Sequence, residues 1–232
     1  MSVIYLDTHI FEGKTNSMIE QKLIVGRFID LPYPAVAPPG IEVPRGSFVT
    51  LPPLRMTIRQ STGFLKKTSS IVRGTDPKDH RNFRWLHYFP GFITQIPFCR
   101  VDILTGEMSG CWIVLYKRDG IEYVGHIGTD NGSIDNTNMV KNTWMTFATT
   151  APAGDVIAGF NPFGDWDGAW PAQLPGEGAA AIYGLMTASR ELYSIWTYKQ
   201  PSQAGVGSML RIAGIQRVES ASRREIQELR RG

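Results

Sequence analysis

Apolar residues in this chain come in short runs set off by glycine, proline and polar pairs, and most runs carry the two-residue period of a strand. On that pattern residues 2–11, 54–59, 144–150, 155–161, 192–198 and 209–218 are predicted strands, while the apolar stretch 179–188 is either strand or helix. Two segments suit short helices. Asn16 can cap residues 16–27, which carry Met18, Ile19, Leu23 and Ile24, and residues 222–231 make a charged helix with Arg223, Arg224, Arg230 and Arg231 on a solvated face. No internal repeat or domain boundary stands out, so residues 1–232 are expected to form one domain.

The densest strand signal is a hairpin. Residues 112–116 are β-branched and aromatic, Asp119-Gly120 is a two-residue turn signal, and residues 121–127 resume the strand pattern. If Asp119 and Gly120 form a type I′ loop, Ile113 faces His126 and Cys111 faces Gly128. Cys111 and His126 then lie on one face as diagonal neighbours, roughly 7–8 Å apart at the backbone. A three-residue Arg-Asp-Gly loop would shift the register by one and put them on opposite faces.

Composition narrows the class. With 232 residues, 42% hydrophobic and 19% charged, the chain can bury a substantial core. Its 24 glycines and 15 prolines favour a β-rich fold with many turns. A net charge of +3 is too small to argue for nucleic acid. No run reaches the roughly 18 apolar residues of a membrane span, and the first residues lack the apolar stretch of a signal peptide, so no membrane partner is expected. Cys99 and Cys111 fit neither a disulfide framework nor a zinc spacing, which points to a reduced compartment and to no metal or cofactor.

Several segments are read as structural. Residues 31–54 hold Pro32, Pro34, Pro38, Pro39, Pro44, Pro52 and Pro53, which exclude regular helix and suggest an extended wrap on the surface, with a docking ligand as the sharper alternative. Asp76, Asp79 and His80 are residue types that could hold a metal, but around Pro77 they read as a solvated turn. Phe83, Trp85, Tyr88, Phe89, Phe92 and Phe98 read as core, with His87 a satisfied core histidine among them. The loop 164–175 carries Trp166 and Trp170, residue types that serve recognition when exposed.

A cysteine and a histidine on one hairpin most often belong to a core, where cysteine packs as a small hydrophobe. Three local features point to chemistry instead. Ser109-Gly110 places Cys111 just after a tight turn, near backbone N–H groups able to stabilise an oxyanion. Gly125 and Gly128 flank His126 with minimal side chains, leaving room for a substrate. Thr105, six residues before the cysteine, offers a hydroxyl to the second imidazole nitrogen. Nucleophile, base and orienter are the parts a thiolate enzyme requires.

At these residues the chain resembles the cytotoxic necrotizing factor and Burkholderia lethal factor-like family of glutamine deamidases. Met108-Ser109-Gly110-Cys111 is similar to that family's Leu-Ser-Gly-Cys, with methionine in place of leucine. The cysteine-to-histidine separation of fifteen resembles that of the necrotizing factors. Tyr123-Val124-Gly125-His126-Ile127-Gly128 resembles the family's Tyr-x-x-His-x-Gly segment, and Thr105 sits where the lethal-factor branch has an orienting threonine. The likeness covers about a tenth of the chain and carries over no substrate-binding loop.

The resemblance implies an α+β fold, a β-sandwich core of mixed sheets flanked by helices. It implies catalytic Cys111, His126 and Thr105, with Ser109 and Gly110 shaping the substrate site. It implies a monomeric secreted bacterial effector acting in the host cytosol on a host protein, such as a GTPase or an ATP-dependent helicase or translation factor. Two other classes stay open. A papain-like cysteine protease or amidase would use the same residue types, with Asp130 as a possible third member. A non-catalytic β-rich binding module would use the Trp166/Trp170 loop as its contact surface.

Overall fold

A computed structural model describes residues 18–30, 43–62, 67–74, 79–166, 168–200 and 209–230. Thirteen strands and two α-helices lie in these residues. The first strands are β1 (Phe28–Asp30), β2 (Phe48–Thr50), β3 (Leu54–Thr62), β4 (Lys67–Arg73), β5 (Asn82–Leu86) and β6 (Ile93–Pro97). Then come β7 (Ile103–Met108), the hairpin β8 (Trp112–Arg118) and β9 (Ile121–Ile127), and helix α1 (Ile134–Thr150). The chain continues through β10 (Val156–Phe160), β11 (Ala180–Met186), β12 (Leu192–Lys199), β13 (Leu210–Val218) and helix α2 (Arg223–Glu228).

Eight strands close into a barrel in the order β1-β13-β12-β11-β7-β5-β3-β4, and five form a second sheet, β10-β8-β9-β6-β2. Both sheets are mixed, since β5–β7 and β1–β4 are parallel in the first and β2–β6 in the second. The fold is α+β and β-rich, with helices flanking the sheets, as the sequence led us to expect.

Side-chain alternation sorts the core into layers. Ile29, Met56, Ile58, Phe83, Trp85, Leu104 and Ile195 fill the barrel. Phe89, Phe92, Ile103, Cys111, Ile113, Leu115, Val124 and Phe160 pack between the barrel and the five-stranded sheet. On the sheet's other face Trp112, Val114, Tyr116 and Ile127 meet Val140, Trp144 and Ala148 of α1 and Ile226 of α2. Strand β8 is therefore buried on both faces, which is why it reads as a continuous apolar run. Gly184 lets the layers close, because a Cβ there would lie 2.1 Å from Ile113 Cδ1.

The strand expected at 144–150 is instead the second half of α1. Its Trp, Phe and Thr residues favour strands individually, but the buried positions Thr137, Val140, Trp144 and Ala148 recur at helical spacing. The Ser133 hydroxyl caps the helix by accepting from Asn136 N, and Trp144 Nε1 donates to Ile226 O at 2.7 Å. At the other end of the chain Ser222 and Glu225 form a capping box for α2.

Residues 179–188 resolve as strand β11. The predicted strand 2–11 and cap Asn16 lie outside the described residues, and 18–27 hold only the short turn Ile19–Gln21 rather than an α-helix. Of the proline-rich stretch, 43–54 is described and contains β2. Among the described residues no helix is long and apolar enough to cross a membrane.

Candidate functional site

The β8–β9 turn fixes the site. Asp119 and Gly120 both adopt positive φ (52° and 80°), which a two-residue type I′ loop requires and which Asp-Gly tolerates. The ladder pairs Ile113 with His126 and Trp112 with Ile127. Cys111 and His126 consequently lie on one face, turned toward the barrel with Ile113, Leu115 and Val124.

The barrel supplies the third residue. On β7 Leu104 points into the barrel, so Thr105 points out of its wall toward the second sheet. Thr105 Oγ1 lies 2.7 Å from His126 Nδ1, a hydrogen bond that spans the two sheets. Both side chains are fully buried, and His126 Nε2 has no hydrogen-bond partner. When Nδ1 carries the proton and donates to Thr105, Nε2 presents a lone pair; when the Thr105 hydroxyl donates, the proton sits on Nε2.

Burial sets the resting protonation. It pulls His126 down to about 3 and pushes the Cys111 thiol up. The thiol's rise is opposed, in order, by the Thr129 hydroxyl and by the backbone amides of Thr129, Ser109 and Gly110. Thr129 Oγ1 is 3.4 Å from Cys111 Sγ. At rest both are neutral, a thiol and an imidazole with no hydrogen bond between them.

Thr129 and Tyr88 are the residues that sequence reasoning missed. Extending the hairpin register past Gly128 sets Thr129 opposite Gly110, a signal that could have found it. Tyr88 stacks on His126 with ring centroids 4.9 Å apart and planes at 27°, and its hydroxyl donates to Thr129 O. Nothing in the aromatic run 83–98 set it apart from core.

The glycines beside His126 do not leave open space. A Cβ on Gly125 would meet the Tyr116 ring at 2.9 Å, and one on Gly128 would meet Phe89 O at 2.6 Å and Phe92 O at 2.9 Å. They admit the chain's own groups, not a substrate. Gly110 is the open one, where a Cβ would find only Thr129 Oγ1 at 3.8 Å. Ser109 is exposed, and its Oγ accepts from Asn131 Nδ2 at 2.9 Å.

Asp130 does not join the pair. Its carboxylate accepts from Asn136 Nδ2 and Gly132 N at the start of α1, and these bonds, Asn136 first, lower its pKa. His87 is half-buried and stacked on Phe89, with a buried Nδ1 that lacks a partner, so it is not the satisfied histidine expected. Of the loop tryptophans, Trp166 is buried and donates to Ser194 Oγ, whereas Trp170 is 59% exposed. Cys99 is free and exposed. Among the described residues no group of His, Cys, Asp or Glu is placed to hold a metal ion.

Thr105→Val keeps the side chain's shape and removes its hydroxyl, leaving a buried imidazole nitrogen unpaired. Such a loss is expected to destabilise the protein by about 1–3 kcal/mol, read from the urea midpoint at constant slope. An unmoved midpoint would mean that Nδ1 has another partner.

Compared with protein-family models and with curated proteins, the chain matches none.

Proposed function

We propose that the chain is a bacterial effector that deamidates a glutamine side chain of a host protein, with Cys111 as nucleophile and His126 as base and acid. One observation carries this: Cys111 and His126 share one face of the hairpin, with Thr105 Oγ1 2.7 Å from His126 Nδ1 and Nε2 left without a partner for the thiol to engage.

In the first step His126 Nε2 takes the Cys111 proton and the sulfur attacks the carboxamide carbon. The oxyanion that forms is stabilised by backbone amides of the Ser109–Cys111 turn and by Thr129. The imidazolium returns its proton to the departing nitrogen, ammonia leaves, and a thioester remains. Water, deprotonated by His126, attacks that thioester. Collapse expels the thiolate, which regains a proton, and glutamate stays on the target. At a glutamine that positions catalytic water in a GTPase, or in an ATP-dependent helicase or translation factor, the new charge would stop turnover. Cys111 and His126 are themselves buried, so the open side of Gly110 is where a carboxamide would have to enter.

The protease alternative loses its third member, because Asp130 is engaged at the start of α1. A binding-module reading keeps one supporting feature, the exposed Trp170 and Leu174 on a loop pinned by Tyr198 OH to Pro171 O and by Arg211 to Glu177. The deciding experiment is peptide mass spectrometry of a host-cell lysate exposed to wild type or to Cys111→Ala. A gain of about one dalton at a specific glutamine, with wild type only, establishes deamidation. Cleaved peptides would indicate a protease, and unchanged proteins in a responsive lysate would favour the binding module.

A further inference from the structure

One side chain touches His126 directly and reaches Cys111 through Thr129. The Tyr88 ring lies on the His126 ring, and its hydroxyl holds the carbonyl of Thr129, whose own hydroxyl meets Cys111 Sγ. The segment carrying Tyr88 is fastened to the end of β9. Gly91 N donates to Gly128 O at 2.9 Å and Gly128 N donates to Phe92 O at 2.9 Å. Gly128 has no side chain to obstruct this. A Cβ there would collide with Phe89 O and Phe92 O and press on Tyr88 Cε2 at 3.1 Å.

We propose that Tyr88 is a positioning residue for Cys111 and His126, its ring fixing the imidazole plane and its hydroxyl fixing Thr129 against the sulfur. This rests on the thiol–imidazole reading of the site. A single hydrogen bond at Nδ1 pins one atom of the imidazole but leaves the ring free to tilt about it. Tilting swings Nε2, the atom that must reach the thiol proton. A ring packed face to face removes that freedom, and its π face favours the imidazolium formed during the reaction. The titratable groups around the ring are Cys111, the Tyr88 phenol, which burial keeps protonated, and Asp130 at the start of α1.

The test is the rate at which iodoacetamide alkylates Cys111 at neutral pH, followed by intact mass, with every protein carrying Cys99→Ser to remove the exposed thiol. Tyr88→Phe, which keeps the ring and loses only the hydroxyl's hold on Thr129, is expected to fall by about threefold, and Tyr88→Leu by about tenfold or more. The unfolding midpoint is measured beside each rate. If the leucine variant does not fold, Tyr88→Met supplies the same comparison with a flexible side chain of similar volume. Faster alkylation in the leucine or methionine variant would make Tyr88 a mere cover and overturn the proposal. Equal rates for the phenylalanine and leucine variants would overturn it too.

His126→Ala in the same series separates the two readings. If the wild-type rate does not depend on His126, the thiol–imidazole pair fails and the role of Tyr88 fails with it. If the rates behave as expected but no lysate protein is deamidated, positioning stands and deamidation falls.

Discussion

Cys111→Ala is expected to abolish the one-dalton change at the target glutamine, and His126→Ala to slow it by about 10²–10⁴-fold. The ordering follows from what each group does. Without the sulfur there is no acyl acceptor, and water held in the same place lacks a base aligned for direct attack. Without the imidazole the sulfur remains, but burial holds it as a thiol. A residual rate in His126→Ala should rise with pH as hydroxide deprotonates the thiol. Equal, partial losses in the two variants would contradict a nucleophilic Cys111 served by a basic His126. The check is a time course on the target peptide by mass spectrometry.

The second large effect is on stability in mild acid. His126 titrates near 6.5 when unfolded and is held down to about 3 when folded, because burial penalises the imidazolium. Above the unfolded value both states are neutral and the histidine adds no slope. Below it the unfolded chain binds a proton that the folded chain refuses. Stability should therefore fall by up to about 1.4 kcal/mol per pH unit as the pH drops toward 3. His87, also lowered by burial and by Arg73, adds to the loss in the same direction. The lowered carboxylates Asp130 and Glu177 act only at more acid pH. Urea unfolding of wild type and His126→Gln between about pH 7 and pH 5 isolates the histidine's share: the wild type should lose stability faster, and parallel curves would refute it.

What could be read in the sequence was local. The Asp119-Gly120 turn specified the hairpin register, and that register decided the face shared by Cys111 and His126. The spacing from Thr105 to Cys111 led to a residue that does meet the imidazole, although the two lie in different sheets. What could not be read was non-local. Barrel closure depends on β1 pairing with both β4 and β13, partners far apart in the chain. Tyr88 reaches His126 because backbone bonds at Gly128 fold the segment after β5 over the end of β9, and no periodicity encodes that contact. The error at 144–150 has a different origin. There, residue preference outvoted spacing, and only the capped, i to i+4 burial of α1 settles the matter. Gly125 and Gly128 mislead for a related reason, since an absent side chain is as often filled by a neighbour as left open.

The hairpin that carries His126 has hydrogen-bonded strands on either side, β10 and β6, and packed layers above and below. The amides of its buried part, residues 112–116 and 124–127, are expected to exchange among the slowest in the molecule. Ser109, Gly110 and Thr129 to Gly132, by contrast, lie beyond the ladder, partly exposed. His126 and Cys111 thus stand at the border between a doubly paired frame and a partly exposed rim. A change at that rim would leave the imidazole's own strand pairing untouched.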